Sequence, residues 1–294
     1  MKVGFIGLGT MGRPMALNLI KHQHDLTVFA RRAVSLEPLV ERGAVIADSP
    51  AEVAAACDAV FTMLTGTEDV ESVVLGADGI VEGARPGTVV IDTSTIDPAR
   101  TRVIGNRLAE TNIDFLDAPV SGGPQGAEDA SLSIMVGGKV EALDRARPLF
   151  EAIGTKILHM GAQGAGQGTK ACHQLLLLIT AQGVAEALTL AKRAGLDVQQ
   201  VQQAMMGGMA SSRVLDFFGD RMARRDFSAG IESRLYHKDL DIVMQLAHSL
   251  GVPLPAGAVT MQFVNGLHGQ GAGTDDLSAL ITLVETLGEP ANPH

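Results

Sequence analysis

The sequence is poor in the residues that build aromatic and disulfide-bonded sites. It contains no tryptophan, one tyrosine and only 3% aromatic residues, so platforms on which nucleic-acid bases stack are not expected. Its two cysteines, Cys57 and Cys172, have neither CxxC nor metal-ligand spacing. We therefore expect neither a disulfide framework nor a structural zinc site, and we expect a reducing, cytoplasmic setting.

Signals for export, membranes or nucleic acids are also missing. The residues after Met1 lead into a short apolar strand broken at Gly7, which lacks the apolar core of a signal peptide. No apolar run approaches the ~20 residues that span a bilayer. A net charge of -10 without a long basic cluster disfavours phosphate backbones and anionic lipid. We expect no nucleic-acid or membrane partner, and a small-molecule substrate instead.

Motifs for hydrolysis and for metal catalysis are likewise absent. No two histidines have HExxH spacing, and no GxSxG segment is present. Nucleophilic hydrolysis therefore has no support, and no metal ion is required.

A glycine-rich turn follows the first predicted strand at once. It reads Gly7-Leu8-Gly9-Thr10-Met11-Gly12 and precedes a helical pattern. In this context the first glycine permits a tight turn, the second lets the backbone approach a pyrophosphate, and the third allows close packing of helix on strand. The N–H groups of the following helix then face the phosphates. The turn predicts a dinucleotide cofactor; the alternative is a glycine turn without a ligand.

The apolar pattern divides the 294 residues into two halves. Strands are predicted at 2–7, 26–29, 45–46, 59–64, 89–92, 114–116, 131–137 and 156–159, alternating with helices that include 50–56 and 140–153. Helices alone are predicted at 169–193, 198–206, 211–221, 235–250, 256–266 and 277–287. We predict an α/β fold, with a Rossmann-like, mostly parallel N-terminal domain (1–162) and an all-α C-terminal domain (163–294). A long interdomain helix at about 169–193 joins them.

The end of the second predicted strand favours NADP(H) over NAD(H). Proteins that bind NAD usually carry an acid at this point for the ribose 2′-hydroxyl. This sequence has Ala30, Arg31 and Arg32 instead, and Asp25 precedes the predicted strand. Two arginines suit a 2′-phosphate, so we predict that NADP(H) is preferred and NAD(H) is possible. The alternative is that both arginines are merely solvated.

Two further strand ends are expected to line the cofactor. Met63, Leu64 and Thr65 lie at the end of one strand, and the hydroxyl residues 93–95, including Thr95, follow another. Ligands of open parallel sheets lie at this edge, so both segments should contact the cofactor. The hydroxyls at 93–95 have a second interpretation, as caps of the helix that starts near Pro98.

A Ser-Gly-Gly turn lies between two prolines. Ser121, Gly122 and Gly123 expose successive backbone N–H groups beside a hydroxyl, which is a suitable cradle for a carboxylate. The same residues also form an ordinary turn, and spacing alone leaves both interpretations open.

The segment 161–170 has four glycines in eight positions and ends at Lys170, before a long apolar helical pattern. Because Lys170, His173 and Gln174 are three and four residues apart, they share one face of that helix, expected at the cleft between domains. A helix N-terminus disfavours cations, which together with partial burial should lower the pKa of the lysine. Lys238 lies in a second charged cluster, which is either functional or a solvated helix face.

The chain resembles the β-hydroxyacid dehydrogenases, a family that includes 3-hydroxyisobutyrate dehydrogenase, tartronate semialdehyde reductase and the glyoxylate/succinic semialdehyde reductases. The resemblance covers nearly the whole length. It rests on four motifs in the right order, FIGLGTMG at 5–12, DAPVSGG at 117–123, the segment 161–170, and KDL at 238–240.

The resemblance implies a reaction and roles for residues. Hydride would pass between nicotinamide and a short 3-hydroxy acid or its semialdehyde, with Lys170 as general acid and base. The residues 121–123 would hold the substrate carboxylate, and Lys238 would lie near cofactor and substrate. The resemblance also implies a homodimer or homotetramer.

The chain departs from the family pattern at His173 and Thr65, while the family has asparagine or glutamine at the position of Gln174. Asparagine is common where this chain has His173, which could change the accepted acid or become protonated with pH. Gln174 can still donate an amide N–H to substrate. Thr65 replaces a frequent proline, which affects the rigidity of the cofactor loop more than the chemistry.

Two alternatives to this activity are an imine reductase of the same architecture and a non-enzymatic NADP-binding module. Imine reductases of this type usually lack the lysine, and relatives without catalysis have it replaced. The intact Lys170 favours the dehydrogenase.

Overall fold

The computed structural model describes residues 1–287 and divides into two compact units. The first is Met1–Lys170, and the second begins at Ala171. Strands and helices alternate in the first unit, while the second is helical, which confirms the predicted fold class. The sequence-based boundary after residue 162 lies earlier in the chain and stays a prediction.

A nine-stranded sheet forms the centre of the first unit. Its strands are β1 (Lys2–Ile6), β2 (Asp25–Phe29), β3 (Val45–Ile46), β4 (Ala59–Thr62), β5 (Val89–Asp92), β6 (Asp114–Asp117), β7 (Val120–Ser121), β8 (Leu132–Gly137) and β9 (Gly154–Gly161). The order across the sheet is β3-β2-β1-β4-β5-β6-β8-β7, with β9 also paired to β8. Pairing from β3 to β6 is parallel, whereas β8 is antiparallel to β6 and β7.

The strand order reverses at β1, which lies between β2 and β4. Such a reversal opens a crevice at the carboxyl ends of the strands, where ligands of doubly wound sheets lie. Eight helices of this unit follow the strands: α1 (Gly12–Lys21), α2 (Glu37–Val40), α3 (Pro50–Ala56), α4 (Thr67–Leu75), α5 (Ile80–Gly83), α6 (Pro98–Ala109), α7 (Gly123–Glu128) and α8 (Val140–Glu151).

The sheet buries apolar side chains on both faces. Phe5 and Phe61 stack at 5.6 Å between ring centroids in one core. The neighbouring residues Ile6 and Val60 belong to the other core. Successive side chains of a strand point to opposite faces, so this alternation requires helices on both sides. The sheet is thereby fixed, and its carboxyl edge is a rigid support for loops.

The second unit contains most of the long helix α9 (Ala165–Arg193), followed by α10 (Val198–Met206), α11 (Asp220–Arg224), α12 (Ser233–Leu250), α13 (Pro255–Gly269) and α14 (Leu280–Leu287). Leu178, Ala185 and Leu188 of α9 join Leu240 of α12 and Val264 of α13 in its core.

Several predicted helices differ from the structure in their bounds or in their type. The long helix begins at Ala165 rather than at residue 169. The helix predicted at 211–221 is wrong in type, because the π-helix Leu215–Gly219 precedes α11 there. The helix predicted at 277–287 opens with the 3₁₀ turn Leu277–Ala279 before α14.

The helix α9 is long and apolar enough, by length and composition alone, to cross a membrane. This differs from the expectation that no such run exists. Half of its most apolar 18-residue window is buried within the protein, as in the core helix of a globular domain.

Candidate active site

The glycine loop joins β1 to α1 where the strand order reverses. Gly7 has a φ of +99°, and a Cβ there would lie 2.2 Å from the carbonyl oxygen of Met63. A Cβ on Gly12 would lie 1.9 Å from the carbonyl oxygen of Gly7. Gly9 is exposed, and a Cβ there would meet no described atom within 4 Å. Close packing therefore explains why positions 7 and 12 are glycine. At Gly9 the backbone is open to a ligand, and this opening fits a dinucleotide pyrophosphate.

The three other loop residues have different surroundings. Leu8 is buried in the core beside α1, and Met11 is partly buried against it. Thr10 is exposed next to Gly9. The loop is therefore anchored by its apolar side chains while its tip faces outward.

The carboxyl end of β2 carries the residues predicted to select the cofactor. β2 ends at Phe29, followed by the partly buried Ala30 and the exposed Arg31 and Arg32. Both guanidinium groups are thus accessible at the edge where the ribose of a dinucleotide lies in such sheets.

The hydroxyls at 93–95 do not cap the following helix. Asp97 caps α6, because its Oδ1 accepts from the backbone N–H groups of Ala99 at 2.7 Å and Arg100 at 2.8 Å. The capping interpretation is therefore wrong. Thr95 is partly exposed, and its contact with a cofactor stays a prediction.

A buried carboxyl group stabilises the loops at this edge of the sheet through hydrogen bonds. Asp92, at the end of β5, accepts hydrogen bonds at Oδ1 from Thr62 Oγ1 at 2.8 Å and Ser94 Oγ at 2.6 Å. Ser94 Oγ in turn accepts from the backbone N–H of Leu64 at 2.8 Å. Burial raises the pKa of Asp92 to about 6, although the bonds from Ser94 and Thr62 oppose the shift. This carboxyl thus holds the segment 63–65, whose Met63 and Leu64 are partly buried and whose Thr65 is exposed.

A second buried carboxylate, Asp117 at the end of β6, binds the first turn of α9. Its Oδ1 accepts from the backbone N–H of Gly164 at 2.8 Å, and its Oδ2 from that of Gln167 at 2.9 Å. Gln163 Nε2 also donates to Oδ1 at 3.1 Å. Burial raises the pKa of Asp117, while the backbone N–H groups of Gly164 and Gln167 lower it. The N-terminal end of α9 is therefore paired with an acidic side chain.

Lys170 lies in the second turn of α9, as its sixth residue, and not where the helix begins. The field of a helix end falls off within one turn, and here the first-turn N–H groups bind Asp117. The predicted effect of the helix N-terminus on the pKa of Lys170 stays a prediction.

The lysine lies beside the Ser-Gly-Gly turn. Lys170 is 7% exposed, and its Nζ donates to the carbonyl oxygen of Val120 at 2.8 Å, immediately before Ser121. Gly122 and Gly123 have φ of +144° and +64°, and a Cβ on Gly123 would meet no described atom within 4 Å. The first unit thus brings together the ammonium group, the Ser121 hydroxyl and a turn of accessible backbone.

Gln167 fastens the same helical turn to the chain after β5. Its side-chain Nε2 donates to the carbonyl oxygen of Ser94 at 2.7 Å, and its Oε1 accepts from the N–H of Ile96 at 3.1 Å. Together with the Asp117 bonds, these contacts fix the start of α9 to two strand ends. The position of Lys170 follows from this attachment.

In the second unit, Gln174 and Lys238 bind the same carboxylate. Gln174 Nε2 donates to Asp239 Oδ2 at 2.6 Å, and Lys238 Nζ forms an ion pair with Asp239 Oδ1 at 2.9 Å. His173 Nδ1 lies 2.9 Å from Gln174 Oε1. Since that oxygen only accepts, Nδ1 carries the proton of the bond. The Lys238 side chain is 28% exposed, and a functional role for it stays a prediction.

Sequence reasoning assigned no individual role to Asp92, Asp117 or Gln167. The available signal is position, because both aspartates end a strand whose other residues are apolar. A carboxylate buried at such a point needs hydrogen-bond donors. In the described part of the chain both cysteines are free, Cys57 buried and Cys172 exposed, and no group of three or more acidic, His or Cys side chains is placed to hold a metal ion.

Two family models match the chain along nearly its whole length. The NAD binding domain of 6-phosphogluconate dehydrogenase matches residues 2–161. The model described as NAD-binding of NADP-dependent 3-hydroxyisobutyrate dehydrogenase matches residues 164–284. The chain belongs to the β-hydroxyacid dehydrogenase family. It is therefore an NAD(P)-dependent oxidoreductase of hydroxy acids and semialdehydes.

Three relatives illustrate the range of this family. The 2-hydroxy-3-oxopropionate reductase of Escherichia coli (strain K12) is 40% identical over 98% of each chain. The NAD-dependent L-serine dehydrogenase of Pseudomonas aeruginosa is 36% identical over 97% of this chain and 98% of that one. A Mycobacterium tuberculosis 3-hydroxyisobutyrate dehydrogenase structure with L-serine has a TM-score of 0.88 at 32% identity, covering 98% of this chain and 99% of that one. The family thus includes enzymes named for different acids and for NAD.

Proposed function

We propose that this enzyme interconverts a short 3-hydroxy acid with its semialdehyde, prefers NADP(H), and uses Lys170 as the general acid and base. The candidate substrates are 3-hydroxyisobutyrate and tartronate semialdehyde, together with two further carboxylated aldehydes, glyoxylate and succinic semialdehyde. The similarity to a 2-hydroxy-3-oxopropionate reductase supports a small semialdehyde that carries a carboxylate.

The contact between Lys170 and Val120 carries this proposal. It places a buried ammonium group 2.8 Å from the residue that precedes Ser121, Gly122 and Gly123. A substrate whose carboxylate accepts from the Ser121 hydroxyl and the backbone N–H groups of this turn would lie within reach of Nζ. The proposed anion cradle and the proposed proton donor are therefore neighbours, although they come from different elements of the first unit.

The mechanism divides between cofactor and chain. Residues 7–12 and the strand ends would hold the nicotinamide cofactor, which would supply the hydride in reduction and accept it in oxidation. Lys170 donates a proton to the aldehyde oxygen in reduction and takes the hydroxyl proton in oxidation. In oxidation, Lys170 must be neutral before it accepts the hydroxyl proton, and it must then pass on or release that proton. Burial favours the neutral form of an amine.

The residues of the second unit are assigned to substrate selection. Gln174 uses one amide N–H for Asp239, and its amide carries a second N–H that we assign to the substrate. His173 is held at Nδ1 by Gln174, which orients the ring. Lys238, oriented by Asp239, supplies a positive charge toward the anionic substrate or cofactor.

The test of the catalytic assignment compares Lys170→Ala with Lys156→Ala, a change at an exposed lysine of β9. A semialdehyde panel run with both cofactors should show kcat reduced by about 10²- to 10⁴-fold for Lys170→Ala alone. Full activity of that variant on every acid would overturn the mechanism. Cyclic imines belong in the same panel, because turnover of imines without semialdehydes would assign the chain to the imine reductases.

The test of cofactor preference compares Arg31→Asp with Arg107→Asp, which makes the same charge change at an exposed arginine of α6. Loss of a charged hydrogen bond to a 2′-phosphate should weaken NADPH roughly 10- to 100-fold. Affinity for NADH should change little. An equal effect on both cofactors would remove the argument from Arg31 and Arg32.

A further inference from the structure

A buried amide joins two helices of the first unit that lie far apart in the chain. Asn18 of α1 is 8% exposed. Its Nδ2 donates to the carbonyl oxygens of Ala127 at 2.8 Å and of Glu128 at 3.3 Å, which are the last two residues of α7. A primary amide carries two N–H groups, so one side chain can serve both carbonyl groups. Sequence reasoning assigned no role to this asparagine.

Each of these two helices directly follows a loop of the candidate site. α1 begins at Gly12, the last residue of the glycine loop. α7 begins at Gly123, the last residue of the Ser-Gly-Gly turn, and its six residues span about 9 Å. Because a helix is a rigid element, a bond at its far end constrains the loop at its start. Asn18 therefore links the segment expected to bind the cofactor to the segment expected to bind the substrate carboxylate.

The C-terminal end of α7 needs these hydrogen bonds. The last carbonyl groups of a helix have no partner within the helix. The following backbone satisfies those of Gln125 and Gly126, which accept from N–H groups at 2.9 Å. The carbonyl groups of Ala127 and Glu128 accept from Asn18 instead. Ala127 is fully buried, so its carbonyl group has little access to water, and the amide supplies the donor that it requires.

An apolar contact holds α7 against the sheet. A Cβ on Gly122 would lie 3.0 Å from Leu132 Cδ2, and a Cβ on Gly126 would lie 3.3 Å from the same atom. Leu132 belongs to β8 and is fully buried. Apolar packing sets how closely α7 approaches the strand, but it has no preferred direction. The hydrogen bonds from Asn18 depend on direction, so they determine where α7 lies along α1.

The glycine loop and Lys170 have attachments that do not involve this amide. Met15 and Leu19 of α1 are fully buried in the core of the first unit, which holds the helix behind the glycine loop. Lys170 is carried by α9, whose first turns bind Asp117 and, through the Gln167 side chain, the chain after β5. Loss of the amide should therefore release the Ser-Gly-Gly turn and leave the other two parts of the site in place.

We propose that Asn18 is a positioning residue for substrate binding, which holds the Ser-Gly-Gly turn at a fixed place relative to the glycine loop. The inference rests on the proposed function, in which residues 121–123 bind the substrate carboxylate. Asn18 itself touches neither substrate nor cofactor in this assignment and acts through α7. The competing explanation is a bond that only stabilises the fold. Such a bond would change the amount of folded enzyme but not the affinity of the folded enzyme for its substrate.

The test compares Asn18→Asp and Asn18→Ala with the same two changes at Asn106, an exposed asparagine of α6. Aspartate keeps the shape of the side chain and removes both N–H groups, while alanine removes the amide without burying a charge and suits a helix. Urea unfolding first establishes that each variant is folded under the assay conditions. Reduction of tartronate semialdehyde, glyoxylate and succinic semialdehyde is then followed with both cofactors.

The expected result is a separation of KM from kcat. A displaced turn loses hydrogen bonds to a charged group, so the KM for the aldehyde should rise roughly tenfold or more in both Asn18 variants. The kcat, its pH profile and the dissociation constant of the reduced cofactor, measured by fluorescence titration, should change little. The Asn106 variants should match wild type in all of these quantities.

Ser121→Ala separates this inference from the proposed function. If Ser121→Ala raises KM and the folded Asn18 variants do not, the inference fails and the anion cradle stands. An unchanged KM in Ser121→Ala would overturn the cradle and the inference together. In the double variant Ser121→Ala/Asn18→Ala, KM should rise by less than the product of the two single rises, because both changes act on one turn. A full product, or failure of both Asn18 variants to fold, would assign Asn18 to stability alone.

Discussion

Replacing Asp92 with asparagine tests how the buried carboxyl group at the end of β5 affects stability. The asparagine keeps Oδ1, which accepts from Thr62 and Ser94, and it removes the ionisable group. Oδ2 of Asp92 has no hydrogen-bond partner among the described residues, so the new amide replaces an oxygen without partners. The substitution therefore changes mainly the electrostatic contribution of this side chain to stability.

The sign and size follow from the pKa of Asp92. Its value rises from 3.8 to about 6 on folding. Between these values the native state binds more protons than the unfolded chain, so stability falls as pH rises from about 4 to 6. At 1.36 kcal/mol per unit, the shift corresponds to about 3 kcal/mol. The difference in unfolding free energy between Asp92→Asn and wild type should therefore change with pH. Between about pH 4 and pH values above 6 it should shift in favour of the variant by up to about 3 kcal/mol.

Urea unfolding from pH 4 to 8 measures this difference. The matched control is Asp114→Asn, because Asp114 is partly buried but accepts from Lys139 at 2.8 Å and Arg145 at 2.7 Å. Burial opposes the shift, yet these two bonds lower the pKa of Asp114. The stabilisation that ionised Asp114 provides is present above the pKa of this group in the unfolded chain and is lost in acid. Asp114→Asn should therefore become less stable relative to wild type as the pH rises. A difference between Asp92→Asn and wild type that does not vary with pH would refute the reasoning.

Two further predictions concern close packing and a helix cap. Gly12→Ala should destabilise by about 1–3 kcal/mol, because its Cβ would overlap the Gly7 carbonyl, whereas Gly9→Ala should unfold like wild type but raise the KM for cofactor. Equal melting curves for the two variants would contradict the packing argument. Asp97→Ala should lose about 1 kcal/mol in thermal unfolding, because Asp97 caps α6. Unchanged thermal unfolding of this variant would contradict the cap assignment.

The regular elements of the first unit were largely predictable from the sequence. The strand Val89–Asp92 and the helix Pro50–Ala56 have their predicted bounds, since both consist of a clear apolar pattern with turn residues on each side. The strand Val120–Ser121 was not predicted, because the glycines that follow it indicated a turn there. The π-helix Leu215–Gly219 was mistaken for an α-helix, since a wider turn leaves no distinct pattern in the sequence.

The candidate site was predictable where a motif is local. In the glycine loop, the positive φ of Gly7 and the close packing at Gly12 agree with the prediction, while the approach of Gly9 to a pyrophosphate stays a prediction. Asp117 was harder, because its donors lie 47 and 50 residues later, and no local pattern reports such a contact. The start of α9 was misplaced for a related reason. Gly166 and Gly168 predicted an irregular segment, but the Asp117 cap makes helix favourable there.

The position of Lys170 at the end of the first unit has a consequence for how this enzyme can vary. The proposed proton donor, the anion cradle at 121–123 and the glycine loop are all contained in Met1–Lys170. His173, Gln174 and Lys238, the residues assigned to substrate selection, belong to the second unit. Under the proposed roles, the proton donor and the residues assigned to substrate selection lie in separately packed units of one chain. A library confined to residues after Ala171 could alter the accepted acid without repacking the support of the lysine.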